Sequence, residues 1–528
     1  MFLDNGVEFS LKVLINKEKN KVLFAEVDSD FAEVVLSFLT LPLGKIVRVL
    51  KKHYGDKDAT TPFNIGSLTT LYDGLSNLDG INLRSTFRKS MLLNPVSSFQ
   101  GECRKLKLDI SDPLTARYFS CPDWNCTHRW SSKVAMRGDT TVTCLCGKTK
   151  NKSVYLDESE TSLHGSGGVF TIKTTSFLIS DDLRMVPNLA VGFVQTLGNL
   201  GITDTKGAEL RNVTFGFNEV MDLLKGSLTS RTPLTDLILN KTKVYDDFAR
   251  LKYEAGISFQ EKENLEATKK MNLRLVVKKS NNKLLFAQGD DDFVDLLFSF
   301  LTIPLGGVEC LLGSNSCLKS IDNLYKSVVD FIDDKYWVSP SIKNRVMKPN
   351  LPKGYVSEGT ILPLSEQVTL YYHRDMNQKK EWLSYSIGKD SGLFRETVFR
   401  RGQENFVRGT KMYMVTDDLT VTPMCMTSTL SILKKMEIPL SDVKEVEVRV
   451  GLQEVINIIL FYNISCLIYL YFLMHSCRDS IWVQALSILK ASLTSTSALT
   501  DGLKINSMFK KQPNHARAFI RRFAKLFN

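Results

Sequence analysis

A chain of 528 residues is too long for one hydrophobic core and suits two to four domains, and 43% apolar with 24% charged residues is ordinary for globular protein. The formal charge of +11 is not a nucleic-acid footprint: seven positives fall in residues 504–528, which hold no acid, and 11 − 7 leaves +4 for the rest. The N-terminus lacks a signal-peptide pattern and the ten cysteines are unevenly placed, so a reducing compartment, cytoplasm or nucleus, is the default expectation.

Residues 11–50, LKVLINKEKNKVLFAEVDSDFAEVVLSFLTLPLGKIVRVL, return as 273–312 at an offset of 262, without a gap and with 18 of 40 positions identical. The expectation is therefore an α+β protein of two homologous halves. Each copy opens with alternating side chains (Leu11, Val13, Ile15, then Val22, Phe24, Glu26) around a polar break, which predicts a β-hairpin. After residues 28–30 the period changes. Phe31, Val34, Val35, Phe38 and Leu39 recur at helical spacing, with Asp or Ser as N-cap and Pro42 and Gly44 as the stop. Asp290, Asp291 and Asp292 stand at the same place in copy two and read as a cap rather than a metal site. A second short helix carries Leu68, Leu71, Tyr72 and Leu75, with Leu318, Ile321, Leu324 and Tyr325 as its counterpart.

A cysteine-rich insert follows, at about 118–150. Cys121 and Cys126 stand in CPDWNC, and Cys144 and Cys146 in CLCG. Two close thiol pairs separated by a loop are what a tetrahedral site of four cysteines needs, so a small zinc-ribbon-like unit holding one structural zinc is expected, with His128 as an alternative ligand. Four reduced thiols in a loop are the plainer reading. The second half has VTLYYHRDMNQ instead, so the metal is not essential to the repeat unit. Cys310, Cys317, Cys425, Cys466 and Cys477 show no ligand spacing and read as buried or incidental.

TSFLISDDLRMVP and MYMVTDDLTVTP predict strands meeting at an Asp-Asp turn in both halves. Half one, 1–245, closes with FGFNEVMDLLKGSLTSRTPLTD at 215–236, a helix through Val220, Leu223, Leu224 and Leu228; residues 246–270 are a charged linker. Half two spans 271–504, and its closing element is interrupted. VGLQE at 450–454 and ALSILKASLTSTSALTD from Ala485 match 11 of those 22 positions once residues 455–484 are removed.

Within that insert, residues 455–477 hold no Asp, Glu, Lys or Arg. Such a run is long enough to span a bilayer. Its eleven Leu, Ile and Phe residues favour insertion by roughly 5 kcal/mol, against Asn457 and Asn463. A single-pass membrane segment is one expectation. A translated intron is another, since thirty residues are whole codons, Val codons begin GT and Gln can be CAG. The tail, 505–528, ends in an amphipathic basic helix with Arg517, Arg521, Arg522 and Lys525 around Phe519, Ile520, Phe523 and Phe527. It suits an anionic membrane surface or a protein partner, or docks on its own domain.

The SFLTLPLG and SFLTIPLG stretches, the paired DDL turns, the LKGSLTS and LKASLTS helices and the Cys pairs resemble the plant-specific family called domain of unknown function 674. The resemblance covers nearly the whole chain. It implies a plant protein, commonly in tandem repeats, and brings no activity or catalytic residue with it. It also lends the intron reading the T-rich character of plant introns. No P-loop, dinucleotide fingerprint, nucleophile elbow or HExxH helix occurs. The expectation is a non-catalytic interaction or scaffold protein with an unknown protein partner. The alternatives are an enzyme of unrecognised class and a zinc-assisted nucleic-acid binder.

Overall fold

The structure is a computed structural model and describes residues 6–55, 64–84, 86–111, 118–126, 135–136, 143–156, 168–189, 192–240, 271–352, 355, 365, 371–375, 380–384, 393–396, 405–409, 411–450 and 481–508. The strands of the N-terminal half are β1 (Phe9–Asn16), β2 (Lys21–Val27), β3 (Tyr118–Ser120), β4 (Ala135–Met136), β5 (Lys152–Leu156), β6 (Phe177–Ser180), β7 (Met185–Pro187) and β8 (Ala208–Phe215). Those of the C-terminal half are β9 (Met271–Lys278), β10 (Leu284–Gly289), β11 (Tyr371–Asp375), β12 (Lys380–Ser384), β13 (Leu393–Glu396), β14 (Tyr413–Val415), β15 (Val421–Pro423) and β16 (Val443–Val450). They form two five-stranded sheets of matching order, β7-β6-β2-β1-β8 and β15-β14-β10-β9-β16, and a third sheet, β13-β11-β12-β5-β3-β4, that draws on both halves. The chain is a mixed α and β protein.

Each hairpin forms for the expected reason and departs from it at one residue. Phe9, Leu11, Val13 and Ile15 of β1 point into the core and Ser10 and Lys12 do not. On β2 the pairing runs Leu14 with Phe24 and Ile15 with Val22, leaving Leu23 as an extra residue. That bulge flips the alternation. Val22, Ala25 and Val27 are therefore the buried set, while Phe24 is half-buried outside the main core. Leu285 is the extra residue at the same place in β10. The helices that follow, Ser29–Ser37 and Asp291–Ser299, are capped by Asp28 and Asp290, whose carboxylates accept from the Phe31 and Phe293 amides at 2.8 and 3.0 Å.

The DDL turns bind the closing elements. Leu183 and Leu419 are buried at φ +61° and +64°, which leaves the preceding aspartates free to reach outward. Asp181 accepts from the amide and the hydroxyl of Thr235, both at 2.8 Å, and Asp417 does the same with Thr500 at 2.8 Å. Burial outweighs those bonds and pushes the Asp181 carboxyl up to about 6. The aspartates of this motif are thus structural acceptors, and the Thr of each LTD triplet is their donor.

The halves are interlocked. At the shared FLT-x-PLG motif two segments of the chain run past one another: Leu43 N donates to Ile303 O and Leu305 N to Leu41 O, both at 2.9 Å, with Pro42 opposite Pro304. A Cβ on Gly44 would lie 3.0 Å from Leu301 O, and one on Gly306 would lie 3.0 Å from Leu39 O. Beyond this crossing the helix Gly66–Asn77 packs on Ile481–Thr494 of the C-terminal half, and Lys319–Lys326 packs on Phe217–Thr229 of the N-terminal half.

One buried acid has no counterpart. Glu309 stands where the first copy has Val47, and both are fully buried. Burial, and then the neighbouring Asp322 carboxylate, raise the Glu309 carboxyl well above the ordinary range. A raised carboxyl contributes its full stability below the unfolded value near 4.5 and loses it as pH climbs through the folded value. Glu309→Val is close to volume-conserving, so it is expected to stabilise the chain at pH 7 by on the order of 1–3 kcal/mol. The gain should shrink toward pH 4.5. Urea titrations of both chains at the two pH values measure it, and an equal or lower midpoint at pH 7 would contradict this account.

Candidate metal centre

The cysteine-rich segment builds two turns and sets them side by side. In the first, Cys121 follows β3 directly, and Asp123 organises the bend: its carbonyl accepts from Cys126 N at 3.2 Å and its Oδ1 from Asn125 N at 3.0 Å. In the second, Gly147 N donates to Cys144 O at 2.8 Å and Cys144 N to Lys148 O at 2.8 Å. Gly147 has φ +83°, a backbone region that L side chains rarely adopt, and so closes the turn. Antiparallel pairing of β3 with β5, Tyr118 opposite Val154 through Ser120 opposite Lys152, aligns the turns. An ion pair of Lys148 Nζ with Asp123 Oδ2 at 2.8 Å ties one to the other.

The four thiols converge. Cys121 Sγ lies 3.6 Å from Cys146 Sγ, Cys126 Sγ lies 3.6 Å from Cys144 Sγ, and all four sulfurs fall within 4.8 Å of one another. They are free thiols; Cys121, Cys126 and Cys144 are buried and Cys146 is exposed. A tetrahedral site with metal–sulfur bonds of about 2.3 Å has sulfur–sulfur edges of roughly 3.8 Å, so this cluster needs only a small adjustment to close on an ion. The set fits a soft metal ion. Burial pushes the Cys121 thiol up to about 12, while the hydrogen bond from the Lys148 amide pulls the exposed Cys146 down to about 7. His128 lies outside the described residues.

Around the centre the sheet is shared. β5 pairs in parallel with β12, placing Trp382 beside Tyr155 and Leu383 beside Leu156. Ser120 Oγ donates to Glu381 Oε2 at 3.0 Å, and Lys152 Nζ lies 3.5 Å from the same oxygen. The cysteine turns of the N-terminal half are thereby fastened to the C-terminal half.

The acidic cluster of the second copy has the capping role read from the sequence. Oxygens of Asp290, Asp291 and Asp292 are close enough to meet at an ion, yet Asp290 caps its helix and Asp292 accepts from Asn405 at 2.9 Å. Of the remaining cysteines, read as buried or incidental, Cys310 and Cys425 are exposed, and Cys103, which no spacing singles out, is buried against Thr40. Residues 455–477, the linker 246–270 and Arg517, Arg521, Arg522 and Lys525 lie outside the described residues; of the tail, the short helix Ile505–Met508 is described. Among the described residues no helix is long and apolar enough to cross a membrane.

A search of curated proteins and a search of solved structures each found no match to this chain. The family described as Protein of unknown function (DUF674) matches residues 5–453, a span that takes in β1 through β16 and stops just short of residues 455–484. The shared FLT-x-PLG crossing, the DDL turns and the cysteine turns all fall inside that span, and the chain is a member of the DUF674 family.

Proposed function

We propose that this chain is a non-catalytic interaction protein, a duplicated scaffold of two equivalent halves in which Cys121, Cys126, Cys144 and Cys146 hold one structural zinc. The observation that carries the reading is the convergence of four thiols within 4.8 Å, with no histidine or carboxylate joining them among the described residues. Four sulfur ligands fill a tetrahedral ion and leave no position for water or substrate, which is the arrangement of structural sites. Zinc would order the ribbon and, through β5 and β12, the contact between the halves. Metal analysis of the purified chain is expected to give one zinc per chain, and Cys126→Ser with Cys144→Ser none. The double variant should also melt several degrees lower, because structural zinc contributes its binding energy to folding. A well-folded chain purified without metal, or a variant that keeps its zinc, would overturn the assignment.

The tether reading is tied to the same scaffold. In the N-terminal half β8 and the closing helix are separated by Gly216 alone, so the fold closes there without any insert. The apolar run 455–477 is then free to serve an end other than core packing, and anchorage to a membrane is the role its composition supports.

A further inference from the structure

Each half divides at the FLT-x-PLG crossing into a body, formed by its hairpin, DDL turn and closing helix, and an arm that begins at Leu43 or Leu305. The arms are exchanged. Ser67 Oγ, on the first arm, donates to Ser495 O at 2.6 Å, and Ser320 Oγ, on the second, donates to Ser230 O at 2.9 Å. Thr70 Oγ1 bonds Asp418 O of one DDL turn, and Asn323 Nδ2 bonds Asp182 O of the other. Further along, Leu83 lies opposite Val407 and Trp337 opposite Thr171, with Arg84 N donating to Phe406 O at 3.0 Å and Val338 N to Phe170 O at 2.9 Å. The backbone bonds recur at matching positions in the two copies, and the side-chain donors, one helical turn apart in the repeat register, reach acceptors that match, so the surface is close to self-complementary in the way of a two-fold dimer interface.

We infer that this interface, and not the covalent linker, holds the halves together, and that the partner its arm and body surfaces recognise is another unit of the same repeat. The linker's role is then to raise the effective concentration of one half for the other. This inference rests on the equivalence of the halves proposed above. It extends that reading to an association that works between separate polypeptides, each closing the other's core with its arm.

The test uses the full chain with a site-specific protease sequence placed within residues 246–270. After cleavage, and after unfolding in urea and refolding, light scattering is expected to report one particle of unchanged mass, near 59.6 kDa, containing both pieces in equal amounts. Two separate folded species, each a single half, would overturn the inference while leaving the duplication standing. One folded half beside one aggregated half would overturn both, since equivalent halves cannot differ in their need for the other. A second variant, cleaved and carrying Ser67→Ala and Ser320→Ala, weakens the arm bonds and should come apart at concentrations where the cleaved parent does not.

Discussion

Gly44→Val and Gly306→Val, singly, are expected to cost the chain most of its stability, and together to abolish the folded monomer. Both glycines lie where two backbones cross. A Cβ at Gly44 meets Leu301 O and Leu92 O at 3.0 Å, and one at Gly306 meets Val346 O at 2.9 Å and Leu39 O at 3.0 Å. These obstacles are carbonyl oxygens of neighbouring chain segments, so no side-chain rotation relieves them. Even alanine should cost about 2–3 kcal/mol at either site, and valine more, against a total stability of about 5–15 kcal/mol. Gly198 supplies the control, because nothing lies within 4 Å of a Cβ built there. Gly198→Ala should leave the melting temperature unchanged or raise it slightly. If Gly44→Ala melts with the parent chain, the crossing is looser than described.

Deleting residues 455–484 should move the chain from the pelleted to the soluble fraction and leave its fold intact. In the N-terminal half, β8 ends at Phe215, Phe217–Thr229 begins the closing helix, and the Gly216 amide donates to Glu219 Oε2 at 2.9 Å. In the C-terminal half β16 ends at Val450 and the matching helix begins at Ile481. The deletion joins Glu454 to Ala485, so Gly451, Leu452, Gln453 and Glu454 lead into the helix as Gly216, Phe217, Asn218 and Glu219 do. Glu454 can then reach back to the Gly451 amide, a cap that contributes about 1 kcal/mol. Carbonate extraction of both chains, followed by thermal melting of the deleted one, reads the result. An aggregated deletion variant would show that the core needs the segment.

Local structure was legible in the sequence wherever one side chain decides it. Asp28 and Asp290 are caps because a short carboxylate before an apolar helical run has an amide to accept from. The convergence of the cysteine pairs could be read because two close thiol pairs on either side of a loop bring four sulfurs together. Two things were out of reach. The bulge at Leu23 depends on the register between strands, so strict alternation put Phe24 and Glu26 on the wrong face. The arm exchange depends on which copy of a repeat each helix meets, and identical motifs cannot distinguish their own body from the other one. SFLTLPLG did carry the clue: a glycine kept in both copies directly after Pro-Leu is a place where backbones touch.

X-ray absorption at the zinc edge of the purified full chain tests the central claim most directly, since it reads ligand type and number together. Four sulfur neighbours at about 2.3 Å, with no nitrogen or oxygen in the shell, are the expected result and would establish a closed, structural centre. A shell with one or more light atoms would mean an open coordination position, and would contradict both the all-cysteine assignment and the non-catalytic reading.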